Sequence, residues 1–115
     1  MPMHRTIAEI CARHDGEVGH AQHVAGLARV LFRRTCRRLR LSPADAVVLD
    51  TACRLHDLGW AADPARHGEV GANLILDEGV RDLSPLQRRY VAAAVLLHQR
   101  DFRTNSRKVA ALRLP

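Results

Sequence analysis

Seven histidines are spread through a chain of 115 residues, and the spacing of four of them points to metal chemistry. His56 and Asp57 stand side by side in Leu49-Asp-Thr-Ala-Cys-Arg-Leu-His-Asp-Leu-Gly59, which reads as an apolar helix running into a glycine stop. A neutral imidazole and a carboxylate are both good ligands for a divalent ion. Left unpaired on an apolar helix, the imidazole would cost roughly 1–3 kcal/mol and the charged group far more, so both need partners. His20 keeps register with Val24, Leu27 and Leu31; His67 with Val70, Gly71 and Leu74; His98 with Val91, Ala94 and Val95; His56 with Leu49, Ala52 and Cys53. These spacings fit a 3.6-residue period, which turns each histidine toward a core. One inward histidine is an ordinary core residue. Four on separate helices predict convergence on a shared metal ion or metal pair.

The elements that must carry them follow from punctuation in the chain. Residues 3 to 14 form a short amphipathic stretch with Ile7, Ile10 and Cys11 on one side, broken at Asp15-Gly16. A second helix runs from about Glu17 to Arg40 with His20 in its first turns. Ser42-Pro43 opens a third, with serine suited to the cap, proline to the first turn and Asp45 to the helix dipole. That helix runs to about Leu58 and carries His56-Asp57. A loop from Gly59 to Arg66 holds the single tryptophan, Trp60, and a turn at Asp63-Pro64. A fourth helix, from about Ala65 to Glu78, carries His67 and stops at Gly79; Ser84-Pro85 opens a fifth, which ends near Gln99 with His98. Asn105 to Leu114 reads as a short last helix. No segment alternates with period two for long enough to form a strand. The expected fold is a single all-α bundle of five or six helices spanning residues 1–115, with its core in about 17–114 and a last helix that looks cut short.

Composition narrows the remaining classes. Hydrophobic residues make up 47% and aromatics only 3%, so the core must be aliphatic, which favours helices over sheets. No apolar run can cross a bilayer and no signal peptide opens the chain, which predicts a cytoplasmic protein with no membrane role. Cys11, Cys36 and Cys53 are odd in number and lack a Cys-x-x-Cys, so reduced thiols are expected. The net charge is +6 and Lys108 is the single lysine; the arginines suit phosphate, although the cluster Arg33, Arg34, Arg37, Arg38 and Arg40 reads first as a solvated helix end. Nucleic acid is disfavoured as a partner, because stacking aromatics and a reading motif are both lacking.

The order of these residues resembles the HD-domain metal-dependent phosphohydrolase superfamily. The resemblance rests on His20 in His-Ala-Gln-His-Val-Ala, His56-Asp57 in Arg-Leu-His-Asp-Leu-Gly, His67 in Arg-His-Gly-Glu-Val-Gly-Ala and His98 in Val-Leu-Leu-His-Gln. Within it, the chain is most similar to the C-terminal HD-like domain of the exopolyphosphatase and guanosine-pentaphosphatase family. Short members that cut dinucleoside polyphosphates are nearly as similar. The resemblance implies that His20, His56 and Asp57 are core ligands, and that His67 and His98 serve a second ion with Asp57 as bridge and central catalytic residue. It also implies a final aspartate on the last helix. The chain stops near that point, at Val109-Ala-Ala-Leu-Arg-Leu-Pro115, so either the last helix is truncated, or another carboxylate substitutes, with Asp101 the nearby candidate, or the site is incomplete. The actin-like domain with phosphate loops that precedes this part in the family has no counterpart here.

The implied function is phosphate hydrolysis on a nucleotide or another phosphate ester, with one or two divalent ions activating water. Fe, Mn, Mg, Co, Ni and Zn are not distinguished. Arg54, Arg66 and Arg100 are the candidates to neutralise phosphate, with Glu69 and Asp63 as nearby proton acceptors. His23 is a lesser candidate for substrate contact; His4 and His14 read as surface residues. The alternative is a non-catalytic HD-like module that binds polyphosphate, an alarmone nucleotide or a protein. An iron-dependent oxygenase ranks third. Exposed apolar surface on a shortened last helix would favour a homodimer.

Overall fold

The computed structural model describes residues 5–14, 18–99 and 102–115, with no side-chain description for 102–105. Six α-helices follow in order: α1 (Ile7–Arg13), α2 (Val18–Thr35), α3 (Pro43–Leu55), α4 (His67–Glu78), α5 (Pro85–Gln99) and α6 (Phe102–Ala111), with a 3-10 turn, Pro64–Arg66, leading into α4. The all-α bundle expected from composition is what forms. Among the described residues the one β feature is an isolated parallel bridge between Arg5 and Val80, and no helix is long and apolar enough to cross a membrane.

Both serine-proline signals work as read. Ser42 caps α3 reciprocally: its backbone N–H donates to Asp45 Oδ2 at 2.8 Å, and its hydroxyl accepts from the Asp45 N–H at 3.4 Å. Ser84 repeats the arrangement with Gln87, at 2.9 and 3.1 Å. Thr6 caps α1 by accepting from the Glu9 N–H.

α5 packs against both α4 and α3, and α2 packs against α3. The core between them is aliphatic: Ile10, Leu55, Ile75, Val80, Val91 and Val95 are fully buried. Each contributes roughly 1.5–3 kcal/mol relative to exposure. The last helix starts earlier than the sequence indicates, at Phe102 rather than Asn105, and ends at Ala111. Leu112 behind it is buried.

α2 differs most from expectation. It ends at Thr35, not near Arg40. Residues 36–41 form a reversing turn in which the Leu41 N–H bonds to the Cys36 carbonyl and the Arg40 N–H to that of Arg37, with Arg40 left-handed at φ 55°. Its buried face is Ala21 and Ala25, while Leu27 and Leu31 are 55% and 63% exposed. The stripe that led from His20 through these leucines therefore does not face the core. Alanines face α3 because they let two backbones approach; the leucines on the adjoining flank are left in water.

Candidate metal centre

α3 ends one residue before His56, so His56-Asp57 sits in the turn that follows the helix rather than inside it. Three histidines then repeat one local geometry. His56 Nδ1 donates to the Cys53 carbonyl at 2.6 Å, His67 Nδ1 to that of Pro64 at 2.9 Å, and His98 Nδ1 to that of Val95. A carbonyl can only accept, so each Nδ1 must carry a proton, and in the neutral ring the lone pair then lies on Nε2. This is how a protein fixes the tautomer of a metal-ligating imidazole.

The Nε2 atoms converge on Asp57. His56 and His20 reach Asp57 Oδ2 at 3.2 and 3.8 Å; His67 and His98 reach Oδ1 at 3.5 and 3.8 Å. The ligand atoms of His20, His56 and Asp57 all lie within 4.8 Å of one another, and so do those of Asp57, His67 and His98. One carboxylate thus stands between two histidine pairs, one oxygen to each.

The donor set fits a cation. His67 Nε2 and His98 Nε2 lie 3.0 Å apart. With both Nδ1 protons committed to carbonyls, two neutral rings at that distance set lone pair against lone pair, which a metal ion between them, or a proton on one Nε2, relieves. Burial pushes the His98 pKa down, and His56 and His67 push it further, against the pull of the Val95 carbonyl and Asp57. His98 is therefore held in the neutral form that a metal requires.

Close backbone approach sets the positions. Gly59 is buried where the turn after Asp57 meets α4; a Cβ there would overlap the His67 carbonyl oxygen and come within 2.7 Å of the Gly71 nitrogen. Gln99 ties α5 to the start of α4: its Oε1 accepts from the Gly68 N–H at 2.7 Å, and its Nε2 donates to the Ala65 carbonyl at 2.6 Å. Both bonds flank His67, and Gln99 itself follows His98. From the sequence, Gln99 reads only as the end of α5 and Gly59 only as a helix stop. A glutamine next to a candidate ligand was the available signal.

Other expected site residues fall elsewhere. Arg54 pairs with Asp50 at 2.8 Å. Arg66 pairs with Glu69 at 2.6 Å, and Lys108 reaches the same carboxylate at 2.8 Å. Lys108 and then Arg66 hold the Glu69 pKa down, so Glu69 is a poor proton acceptor. Asp63 stands at the N-cap position of the 3-10 turn, without a side-chain bond to it. His14, expected at the surface, is largely covered and lies 3.1 Å from Glu78; His23, the lesser candidate for substrate contact, is exposed. Arg100, Asp101 and His4 lie outside the described residues.

A family model described as "Ppx/GppA phosphatase, domain III" matches residues 3–113. A curated relative, the guanosine-5'-triphosphate,3'-diphosphate pyrophosphatase of Vibrio atlanticus (strain LGP32), is 32% identical over 72 residues. That match covers 62% of this chain and 14% of the relative, so the chain corresponds to a small part of that protein. No solved structure gives a significant match.

Proposed function

Because the chain belongs to the Ppx/GppA phosphatase family, we propose that it is a metal-dependent phosphohydrolase of the HD type, acting on a nucleotide or another phosphate ester. In this reading His20, His56 and Asp57 would hold one divalent ion, and Asp57, His67 and His98 would hold another. When bound, such ions supply Lewis acidity, bringing the pKa of water toward about 7 and drawing charge from a phosphoryl oxygen. The chain's own part is to fix the imidazole tautomers, to bridge the two half-sites through Asp57 and to keep His98 neutral. The observation that carries the proposal is the 3.0 Å approach of two imidazole Nε2 atoms whose rings both donate from Nδ1 to carbonyls.

Arg54 and Arg66 remain the proposed phosphate contacts, and each would have to leave its carboxylate partner to act. Asp101 remains the proposed substitute for the final family aspartate. The test is release of inorganic phosphate from a panel of nucleotides and phosphate esters by metal-loaded protein. Turnover that disappears in Asp57→Asn supports the reading.

The committed ion pairs of Arg54 and Arg66 favour a second reading, a non-catalytic module that binds a polyanion or a protein. Among the described residues neither arginine is left unpaired to neutralise a transition state. Ligand-induced stabilisation without phosphate release would support it.

A further inference from the structure

The imidazole rings of the cluster make a continuous run, and one more ring extends it. Centroids of His20 and His56 are 5.4 Å apart, those of His56 and His98 5.2 Å, and those of His98 and His67 4.9 Å. Trp60 follows at 5.1 Å from His67, with 65° between the planes. At that tilt the contact uses at most one face of the indole. Trp60 remains 54% exposed.

A tryptophan kept for packing would be more deeply buried, because the indole carries one of the largest apolar surfaces of any side chain. Trp60 is instead held at the edge of the site. It lies three residues after Asp57, and its backbone N–H donates to the Asp57 carbonyl at 3.0 Å. Gly59 anchors the same turn against α4 from the inside. The indole is thus positioned by the backbone that positions the bridging carboxylate, with its ring left open to solvent.

We propose that Trp60 is a stacking platform for the base of a nucleoside phosphate whose phosphate end sits at the His–Asp cluster. A flat π-system beside a phosphate-binding centre recognises a ligand that joins an aromatic ring to a phosphate. Any base can use it, because every base has a π-face. The proposal rests on the phosphate reading of the cluster and narrows it, since polyphosphate has no ring and a simple sugar phosphate has no π-face to stack on the indole.

Trp60 is the single tryptophan of the chain, so its fluorescence reports on this position alone. The experiment titrates AMP and ribose 5-phosphate into the whole protein by calorimetry, follows indole quenching, and measures bound metal in the same sample. AMP is expected to bind about 10-fold tighter than ribose 5-phosphate, a ratio set by one stacked base, and to quench Trp60. Trp60→Ala is expected to bring the ratio close to one without changing the affinity for ribose 5-phosphate. Trp60→Phe is expected to keep part of the ratio. Equal affinities in the wild type, binding of neither compound, or an AMP preference that survives Trp60→Ala would each overturn the stacking role. Metal content separates the two readings. A metal-free sample that still shows the Trp60-dependent preference keeps the stacking role and removes the metal; a metal-loaded sample that does not distinguish the two compounds removes the stacking role alone.

Discussion

His67 and His98 meet through their Nε2 atoms at 3.0 Å, although the residues are separated by 31 positions and both Nδ1 protons point away to carbonyls. Two neutral rings in that tautomer set lone pair against lone pair, so the contact calls for a positive charge between them, which in the proposed function is a metal ion.

Gln99 is the link between the two helices at that point. Gln99→Ala removes an acceptor for the Gly68 N–H and a donor to the Ala65 carbonyl. Loss of the pair is expected to cost about 1–3 kcal/mol in urea unfolding. It is also expected to weaken metal affinity roughly 10–100-fold, the usual effect of losing support behind a ligand. Unchanged metal affinity would show that His67 is positioned by other means.

Gly59→Ala tests the close approach behind Asp57. The added methyl has the His67 carbonyl and the Gly71 nitrogen in its way, and both are backbone. The expected destabilisation is about 1–3 kcal/mol, as for overpacking of a filled core. Urea denaturation measures it, and a loss below about 0.5 kcal/mol, the usual range for ordinary surface changes, would contradict the close approach.

Acid should weaken the metal-free fold. The His98 pKa lies below its ordinary 6.5, chiefly through burial and secondly through His56 and His67. The unfolded chain therefore binds a proton more readily than the native state. Stability from this group is complete above about pH 6.5 and is lost as pH falls toward the native pKa. In the presence of a chelator, the urea midpoint should drop between pH 7.5 and pH 5.5, and His98→Asn should shrink that drop. Equal drops in both proteins would assign the effect to another group.

Arg40 offers a gain. It sits left-handed at the end of the turn after α2, a conformation that L-residues with a Cβ adopt at a cost of about 1–2 kcal/mol. Arg40→Gly is expected to raise stability by about 0.5–1 kcal/mol, since glycine's extra freedom in the unfolded chain offsets part of the relief. A thermal melt reads the shift, and a lower Tm would contradict it.

The sequence made the helices legible where apolar period and capping chemistry agreed, as at Ser42-Pro43 and Ser84-Pro85. It also indicated which four histidines meet, because a candidate ligand with a 3.6-residue register has few places to point. For His20 the agreement was partly fortuitous. Its leucine stripe is in water, and α2 packs instead through Ala21 and Ala25, whose small side chains give a weak hydropathy signal. The end of α2 is not legible, because the five arginines near it fit a helix, while the reversal depends on Arg40 adopting a conformation that its residue type disfavours. The Asp50–Arg54 and Arg66–Glu69 pairs are local helix spacings that the sequence carries, but nothing in the order of residues says that Lys108 joins Arg66 on Glu69, or that Gln99 reaches back 34 positions to Ala65.

Elemental analysis of the purified protein, beside its His56→Ala variant and prepared without chelator, bears most directly on the cluster. The arrangement around Asp57 predicts one or two equivalents of a divalent metal in the wild type and a clear loss in the variant. Equal and near-zero metal in both proteins would contradict it.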